Sequence, residues 1–248
     1  MKTYKTSDVA RCIGIHPNTV RLYEELELIP KPERKANGYR VFTDFHIEQI
    51  KLVRIAFQVE VLQNGLRKQA ISIIKASASG DFNKAIRLTE QYRKQINQEQ
   101  KNAEEAIVIT KKLLSGDDLD TDLMVLTRKE TAEYLQISMD TLRNWEMNGL
   151  FTIKRKENGY RIYTVEDIRR LKIIRALRCA NYSLSAILRM LNTLSRAPEA
   201  DIRQVIDTPK ESDDIVSVCD KLHTSLRYAQ KNAERMLIHL DKMKKRFG

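Results

Sequence analysis

The segment Asn37-Gly38-Tyr39-Arg40-Val41-Phe42-Thr43 returns almost unchanged as Asn158-Gly159-Tyr160-Arg161-Ile162-Tyr163-Thr164. Upstream the match continues. Val9-Ala10 answers Thr131-Ala132, Ile13 and Ile15 answer Leu135 and Ile137, and Thr19-Val20-Arg21 answers Thr141-Leu142-Arg143. Tyr23-Glu24 answers Trp145-Glu146, and Leu28 answers Leu150. The offset is 122 residues up to the Leu28/Leu150 pair and 121 from the Asn37/Asn158 pair, so one residue is lost between them. An internal repeat decides architecture before local propensity does, and two copies at this spacing are a tandem duplication of a small domain rather than a solenoid.

A chain of 248 residues has room for two such domains, each with a helical tail. Hydrophobic content of 42% and charged content of 31% suit a soluble helical protein, and no apolar run approaches the ~20 residues of a membrane span. The first module follows Met1 almost directly, so no signal peptide, no membrane partner and a cytoplasmic location are expected. Lys and Arg number 44 against 33 Asp and Glu, a net +11 that favours a polyanionic partner. Cys12, Cys179 and Cys219 are odd in number and far apart, which argues against a disulfide framework or a zinc knuckle. His16, His46, His223 and His239 show no ligand spacing, so neither a metal nor a cofactor is expected.

Each copy repeats the same local signals. In the first, the capping run Thr6-Ser7-Asp8 precedes Val9, Ala10, Cys12 and Ile13 at helical spacing, and Gly14 ends that helix. His16-Pro17-Asn18-Thr19 opens a second helix with Val20, Tyr23 and Leu26 on one face. In the second copy Thr127 and Glu130 form a cap, Ser138 and Asp140 open the second helix, and Gly149 closes it. Glu27 stands where Gly149 stands, so the turn in the first copy is expected to be less comfortable. Two short helices joined by a tight turn read as a helix-turn-helix. A basic segment, an Asn-Gly turn and an alternating return strand follow in both copies, the pattern of a wing. The next helix starts at Thr43-Asp44 or Thr164-Val165, with Ile47, Ile50 and Val53 (Ile168, Leu171 and Ile174) facing inward.

Each copy ends in a long amphipathic helix. Ile215, Cys219, Leu222, Leu226, Ala229, Ala233, Met236, Leu240, Met243 and Phe247 step by fours and threes, an a/d seam. Phe82, Ala85, Thr89, Tyr92, Ile96, Glu99, Ala103, Ala106, Thr110 and Leu113 keep the same rhythm less cleanly. The expected fold is mainly α: two winged helix-turn-helix domains, each followed by a long coiled-coil helix, in a pseudo-twofold, dimer-like arrangement. The expected boundaries are 1–80 and 126–210 for the winged domains, 81–115 and 211–248 for the long helices, and 116–125 for an acidic linker.

Thr19-Val20-Arg21-Leu22-Tyr23-Glu24, Leu28-Ile29-Pro30 and Gly38-Tyr39-Arg40-Val41-Phe42 are similar to the signature of MerR-type transcription regulators. So are Thr141-Leu142-Arg143-Asn144-Trp145-Glu146, Gly149-Leu150 and Gly159-Tyr160-Arg161-Ile162-Tyr163. The resemblance implies promoter binding with distortion of double-stranded DNA, RNA polymerase as a partner, and homodimers joined by antiparallel coiled-coil helices. Leu22 and Asn144 depart from the family's first aromatic before the Glu. No effector domain is expected after either helix, and the metal-sensing cysteines of some relatives are absent. Because the family dimer has two heads, one chain of this sequence is expected to fold into its equivalent, a monomeric pseudo-dimer, with a domain-swapped pair of chains as the competing arrangement. The linker, ~30 Å when extended, is long enough for this.

His16, Asn18, Thr19 and Arg21 of one recognition helix, and Ser138, Asp140, Thr141 and Arg143 of the other, are the expected base-facing residues, Arg suiting guanine and Asn adenine. The alternative for Arg21 and Arg143 is an intrahelical salt bridge. Arg40 and Arg161 read as phosphate clamps or as ordinary solvated strand residues. Arg34, Lys35, Lys154, Arg155 and Lys156 supply sequence-blind attraction to phosphate. Tyr39 and Tyr160 read as wing core or as DNA contacts, and Tyr23 and Trp145 as rings that pack while a polar tip meets backbone. The two recognition helices differ, so the half-sites need not match. A small-molecule inducer would bind among Tyr92, Tyr182, Tyr228 and Met236, residues that equally read as core. An architectural, excisionase-like DNA-bending protein is the nearest rival function. An enzyme is not expected, since no phosphate loop, zinc spacing or serine elbow occurs.

Overall fold

The computed structural model describes residues 2–58, 65–115, 125–153, 161–208 and 221–248. Its contacts fall into two compact units, Met1–Gln98 with Ser225–Gly248, and Glu99–Thr224. Each unit therefore combines one repeat with segments of both long helices.

The first unit opens with β1 (Thr3–Tyr4) and α1 (Thr6–Ile13). The helix starts one residue earlier than the Thr6-Ser7-Asp8 run suggests. Lys5 is the cap position, and its N–H donates to the Asp8 carboxylate at 3.0 Å, where Asp8 also favours the positive end of the helix. After Gly14, α2 (Pro17–Glu25) is capped by His16, whose Nδ1 accepts from the Asn18 N–H at 3.2 Å. The hairpin of β2 (Glu33–Arg34) and β3 (Arg40–Thr43) closes with Lys35 N–H donating to the Tyr39 carbonyl at 2.9 Å and Gly38 N–H to the Lys35 carbonyl at 2.8 Å. Gly38, at φ 80°, takes the left-handed place that ends such a loop. β1 joins the sheet in the order β1-β3-β2, a third strand that the repeat did not announce.

The core of this head is Val9, Ala10, Val20, Ile29, Phe42, Ile47 and Ile50, gathered from both helices, the wing and α3 (Asp44–Ala56). A further helix, α4 (Leu66–Ala78), lies within the stretch 1–80 assigned to the first winged domain, where no separate helix signal stands in the sequence. Gln49 of α3 is fully buried and fixes it. Its Nε2 donates to the carbonyls of Leu28 and Ile74, both at 2.9 Å, and its Oε1 accepts from the Ser77 hydroxyl at 2.7 Å. Each polar atom of that side chain is thus satisfied, which removes the cost of burying an amide.

The long helix α5 spans Phe82–Ser115. All ten of its seam residues are buried, including the polar Thr89, Glu99 and Thr110. Thr89 and Thr110 satisfy their hydroxyls by donating to the carbonyls of Ala85 and Ala106, one turn back.

The second unit repeats the plan: β4 (Leu126–Thr127), α6 (Arg128–Tyr134), α7 (Met139–Met147), β5 (Ile162–Tyr163) and α8 (Val165–Cys179). Two shorter helices follow, α9 (Leu184–Leu194) and α10 (Ile202–Asp207). The Thr127/Glu130 capping box forms as expected, Thr127 N–H donating to the Glu130 carboxylate at 2.8 Å. β4 pairs β5 antiparallel. The expected linker, apart from Val125, and the second Asn-Gly turn lie outside the described residues, as do Ile215 and Cys219 of the last seam.

The final helix, α11, spans Leu222–Phe247, and its seam from Leu222 to Met243 is buried. Its beginning belongs to the second unit, where the Asp207 carboxylate accepts from the N–H groups of His223 at 2.9 Å and Thr224 at 3.1 Å. Glu104 of α5 meets His223 there at 3.5 Å and pairs with Arg203 of α10. Its end belongs to the first unit. Phe247 stacks near Phe45 of α3 with centroids 5.3 Å apart, and Phe82, the first residue of α5, lies 5.9 Å from the same ring. Arg246 reaches Asp44 at 2.5 Å, and His239 Nε2 approaches the Glu48 carbonyl at 2.9 Å.

The two repeats solve the same backbone problem with exchanged residues. Both helix-turn-helix units need a left-handed residue after each helix. The first uses Gly14 (φ 73°) and Glu27 (φ 58°), the second Gln136 (φ 51°) and Gly149 (φ 73°). At all four places the next N–H folds back five residues, as Ile15 to Ala10 and Leu150 to Trp145 do. A side chain in this region costs about 1 kcal/mol. Gly149→Ala is expected to lower stability by about 1 kcal/mol and Gln136→Gly to raise it by about 0.5 kcal/mol, read by chemical denaturation.

Candidate nucleic-acid interface

The wing arginines are where the structure departs most from expectation. Arg40 of β3 donates its Nε–H to the Glu24 carboxylate, at the end of α2. Arg161 donates its Nε–H to both oxygens of Glu146, at 3.2 and 3.1 Å, at the matching place in α7. Both pairs are partly buried. Neither arginine is an ordinary solvated residue. Each is oriented by an acid on the recognition helix, leaving its terminal nitrogens beyond the pair. Glu24 also meets Arg34 of β2 at 3.6 Å, so one carboxylate ties both strands of the first wing to α2. The two glutamates went unread as site residues, though a Glu after the aromatic and an Arg after the Gly-Tyr recur in both copies.

On α2, Asn18 and Arg21 are exposed and joined, the Arg21 guanidinium donating to the Asn18 amide oxygen at 2.6 Å. The partner of Arg21 is thus a neutral amide rather than the acid of the alternative intrahelical salt bridge. His16 is exposed, but one ring nitrogen is occupied in capping, and Thr19 is half-buried. On α7, Ser138 is the cap: its hydroxyl accepts from the Thr141 N–H at 3.0 Å and shares a second bond with the Thr141 hydroxyl at 2.9 Å. Asp140 and Arg143 are exposed.

Tyr39 is 70% exposed at the wing tip, which corrects its reading as wing core. Tyr23 packs partly against the head core, while Trp145 is almost wholly buried at 4% exposure. The indole is the larger ring and fills its head more completely. Lys35 is exposed. Lys154, Arg155, Lys156 and Tyr160 lie outside the described residues.

The expected inducer residues are corrected on packing grounds. Tyr92 and Met236 are buried in the helical seams of the first unit, and burial pushes the Tyr92 hydroxyl up to about 12. Tyr182 is buried in the second unit, its hydroxyl also pushed up by burial, and Tyr228 is about half exposed. Among the described residues no cluster of His, Cys, Asp and Glu could hold a metal ion, and no helix is long and apolar enough to cross a membrane.

Residues 126–194 match the model of the MerR HTH family regulatory proteins, and residues 5–42 that of the MerR family regulatory proteins. The chain is similar to the HTH-type transcriptional regulator CueR of Yersinia pestis, 47% identical over 53 residues, covering 21% of this chain and 38% of that protein. CueR of Escherichia coli O6:H1 is 43% identical over 53 residues, 21% of this chain and 39% of its own length. The mercuric resistance operon regulatory protein of Bacillus cereus is 31% identical over 51 residues, 21% of this chain and 39% of its own. The chain thus spans about two-fifths of the length of these relatives. No solved structure matches it significantly.

Removing one partner of a partly buried charged pair leaves the other desolvated and unpaired. Glu24→Gln and Glu146→Gln are each expected to lower unfolding stability by about 1–2 kcal/mol. Urea titration of each variant checks this, and unchanged midpoints would show that the wings stand without the pair.

Proposed function

Because this chain belongs to the MerR family of regulators and carries the family's module twice, we propose that it is a sequence-specific, DNA-binding transcriptional regulator. The observation that carries the reading is the doubled wing–helix clamp. Arg40/Glu24 and Arg161/Glu146 set a wing beside an exposed helix face in each unit. That face presents Asn18 and Arg21 in one copy, Asp140 and Arg143 in the other. A helix in the major groove with a wing on the adjacent backbone is the use such a pairing suits.

One chain supplies both heads. Support for a monomeric pseudo-dimer comes from the long helices: α11 ends against the first head at Phe45, and α5 begins there, while Glu104 of α5 meets the start of α11 at His223. Helices that exchange ends in this way suit antiparallel pairing within a single polypeptide, where the effective concentration of the partner helix is high. Two heads of one chain bound to one duplex would distort the promoter between them, a distortion that RNA polymerase reads. The architectural reading predicts bending without any effect on polymerase.

Purified protein, purified polymerase and a promoter with an over-long spacer provide the test. Changed transcript yield with one chain bound per duplex, by native mass spectrometry, is the expected result. Two chains per duplex would favour the swapped dimer, and bending with unchanged transcription the architectural role. The differing recognition residues, His16 against Ser138 and Asn18 against Asp140, also lead to an operator with unlike halves. An amide both donates and accepts, whereas a carboxylate accepts only. Selection from random duplexes is expected to return a non-palindromic consensus, and a strictly palindromic winner would refute equal but different reading by the two heads.

A further inference from the structure

The repeats carry a second matched feature that the DNA-facing residues do not include. Beside each recognition helix lies an open cleft, of about 460 Å³ in the first unit and 580 Å³ in the second. The first is lined by Tyr23, Arg54, Phe57 and Gln58, the second by Trp145, Arg175, Arg178 and Cys179, which are the same positions of the repeat. Two copies of one backbone will share a hollow by descent. What its lining keeps is more informative. Phe57 has become Arg178 and Gln58 has become Cys179, yet the arginine on the third helix of the head is present in both, as is the aromatic ring of the recognition helix.

From this we infer that the two clefts are seats for backbone phosphates of duplex DNA, with Arg54 and Arg175 as the paired anchors. This rests on the DNA-binding reading and adds to it the residues that fix the register of each head. Each cleft also holds a second guanidinium tethered at its rim. In the first, Arg235 of α11 donates to the Gln58 amide oxygen at 2.8 Å, and in the second Arg178 donates to the Tyr182 carbonyl at 2.5 Å. Two guanidiniums beside an aromatic ring in an open cleft concentrate positive potential, which suits a phosphodiester oxygen. The second cleft is lined as well by Ser138, Asp140 and Thr141, so a duplex engaging those side chains brings its backbone past Arg175. Among the described residues Asp140 is the one acid in either lining, and a carboxylate there repels phosphate, directing the strand towards the arginine side.

Phosphate contacts and base contacts leave different thermodynamic marks. A lost phosphate contact weakens binding to every sequence alike and flattens the salt dependence by about 1 in the log–log slope, whereas a lost base contact spares unrelated DNA. The experiment is fluorescence anisotropy of the full chain on its selected operator and on an unrelated duplex across a KCl series. Arg54→Gln and Arg175→Gln are each expected to weaken both duplexes by a similar factor, roughly tenfold at low salt, with a slope shallower by about 1 per substitution. Arg54→Lys and Arg175→Lys keep the charge and are expected to keep the slope, while far-ultraviolet melts confirm that all four variants fold. Slopes unchanged in both Gln variants, with wild-type binding intact, overturn the seats alone. A loss confined to the operator also overturns them, since it marks base readout. Wild-type protein that binds neither duplex overturns the seats together with the DNA-binding reading.

Discussion

The charged pair between wing and recognition helix is what lets each head present a fixed surface. The first wing consists of strands of two and four residues, and the described part of the second is shorter still. Hairpins of that size are marginal in water by themselves, so their angle to the helix must be set by something other than the sheet. Arg40 and Arg161 supply that constraint by reaching Glu24 and Glu146 across 16 and 15 residues of chain. A planar guanidinium bonded at Nε has its remaining nitrogens fixed in direction, so the same contact that braces the wing also aims its charge. Structural and DNA-facing readings of these arginines are therefore not rivals.

A second repeated anchor works one layer deeper. The carbonyl of Leu28, just beyond the left-handed turn after α2, accepts from Gln49, and the carbonyl of Leu150 at the matching place accepts from Arg170 at 2.7 Å. An amide and a guanidinium thus perform the same task from equivalent positions on the third helix of the head. The exit of each recognition helix is tied to the helix that carries Arg54 or Arg175. The side chains on the recognition helix and those on the third helix are thereby held in register within each head.

Much of this was legible because the chain is its own comparison. The Asn-Gly-Tyr-Arg repeat and the capping signals at Thr127 and Ser138 located the heads, and the a/d steps from Phe82 to Leu113 located α5 to within a residue. Periodicity reports which residues are buried, and every seam position of α5 is. Periodicity does not report partners. Arg40 and Glu24 are 16 apart on different elements, so their contact follows from the packed angle of the wing and not from any local pattern. The strand β1 has two residues, too few to alternate visibly, and α4 follows residues whose pattern carried no cap. Spacing is equally silent on the residues named for an inducer. A tyrosine on an amphipathic helix has the same spacing whether it lines a cavity or fills a seam, and Tyr92 fills one.

Duplication within one chain also explains why the copies are free to differ where they do. In a homodimer each substitution strikes both heads at once, so a change in the recognition helix must suit both half-sites. Here the exchange of Gly14/Glu27 for Gln136/Gly149 left four left-handed turns intact while moving the cost of a side chain from one turn to the other. His16 and Ser138 cap equivalent helices with different atoms, and Tyr23 and Trp145 fill equivalent gaps to different depths. The backbone demands are met twice by different residues, and the faces that no packing constrains have diverged furthest, Leu22 against Asn144 and Glu25 against Met147 among them. The frame is preserved by bracing contacts, while the exposed faces of the two recognition helices are free to differ within one polypeptide.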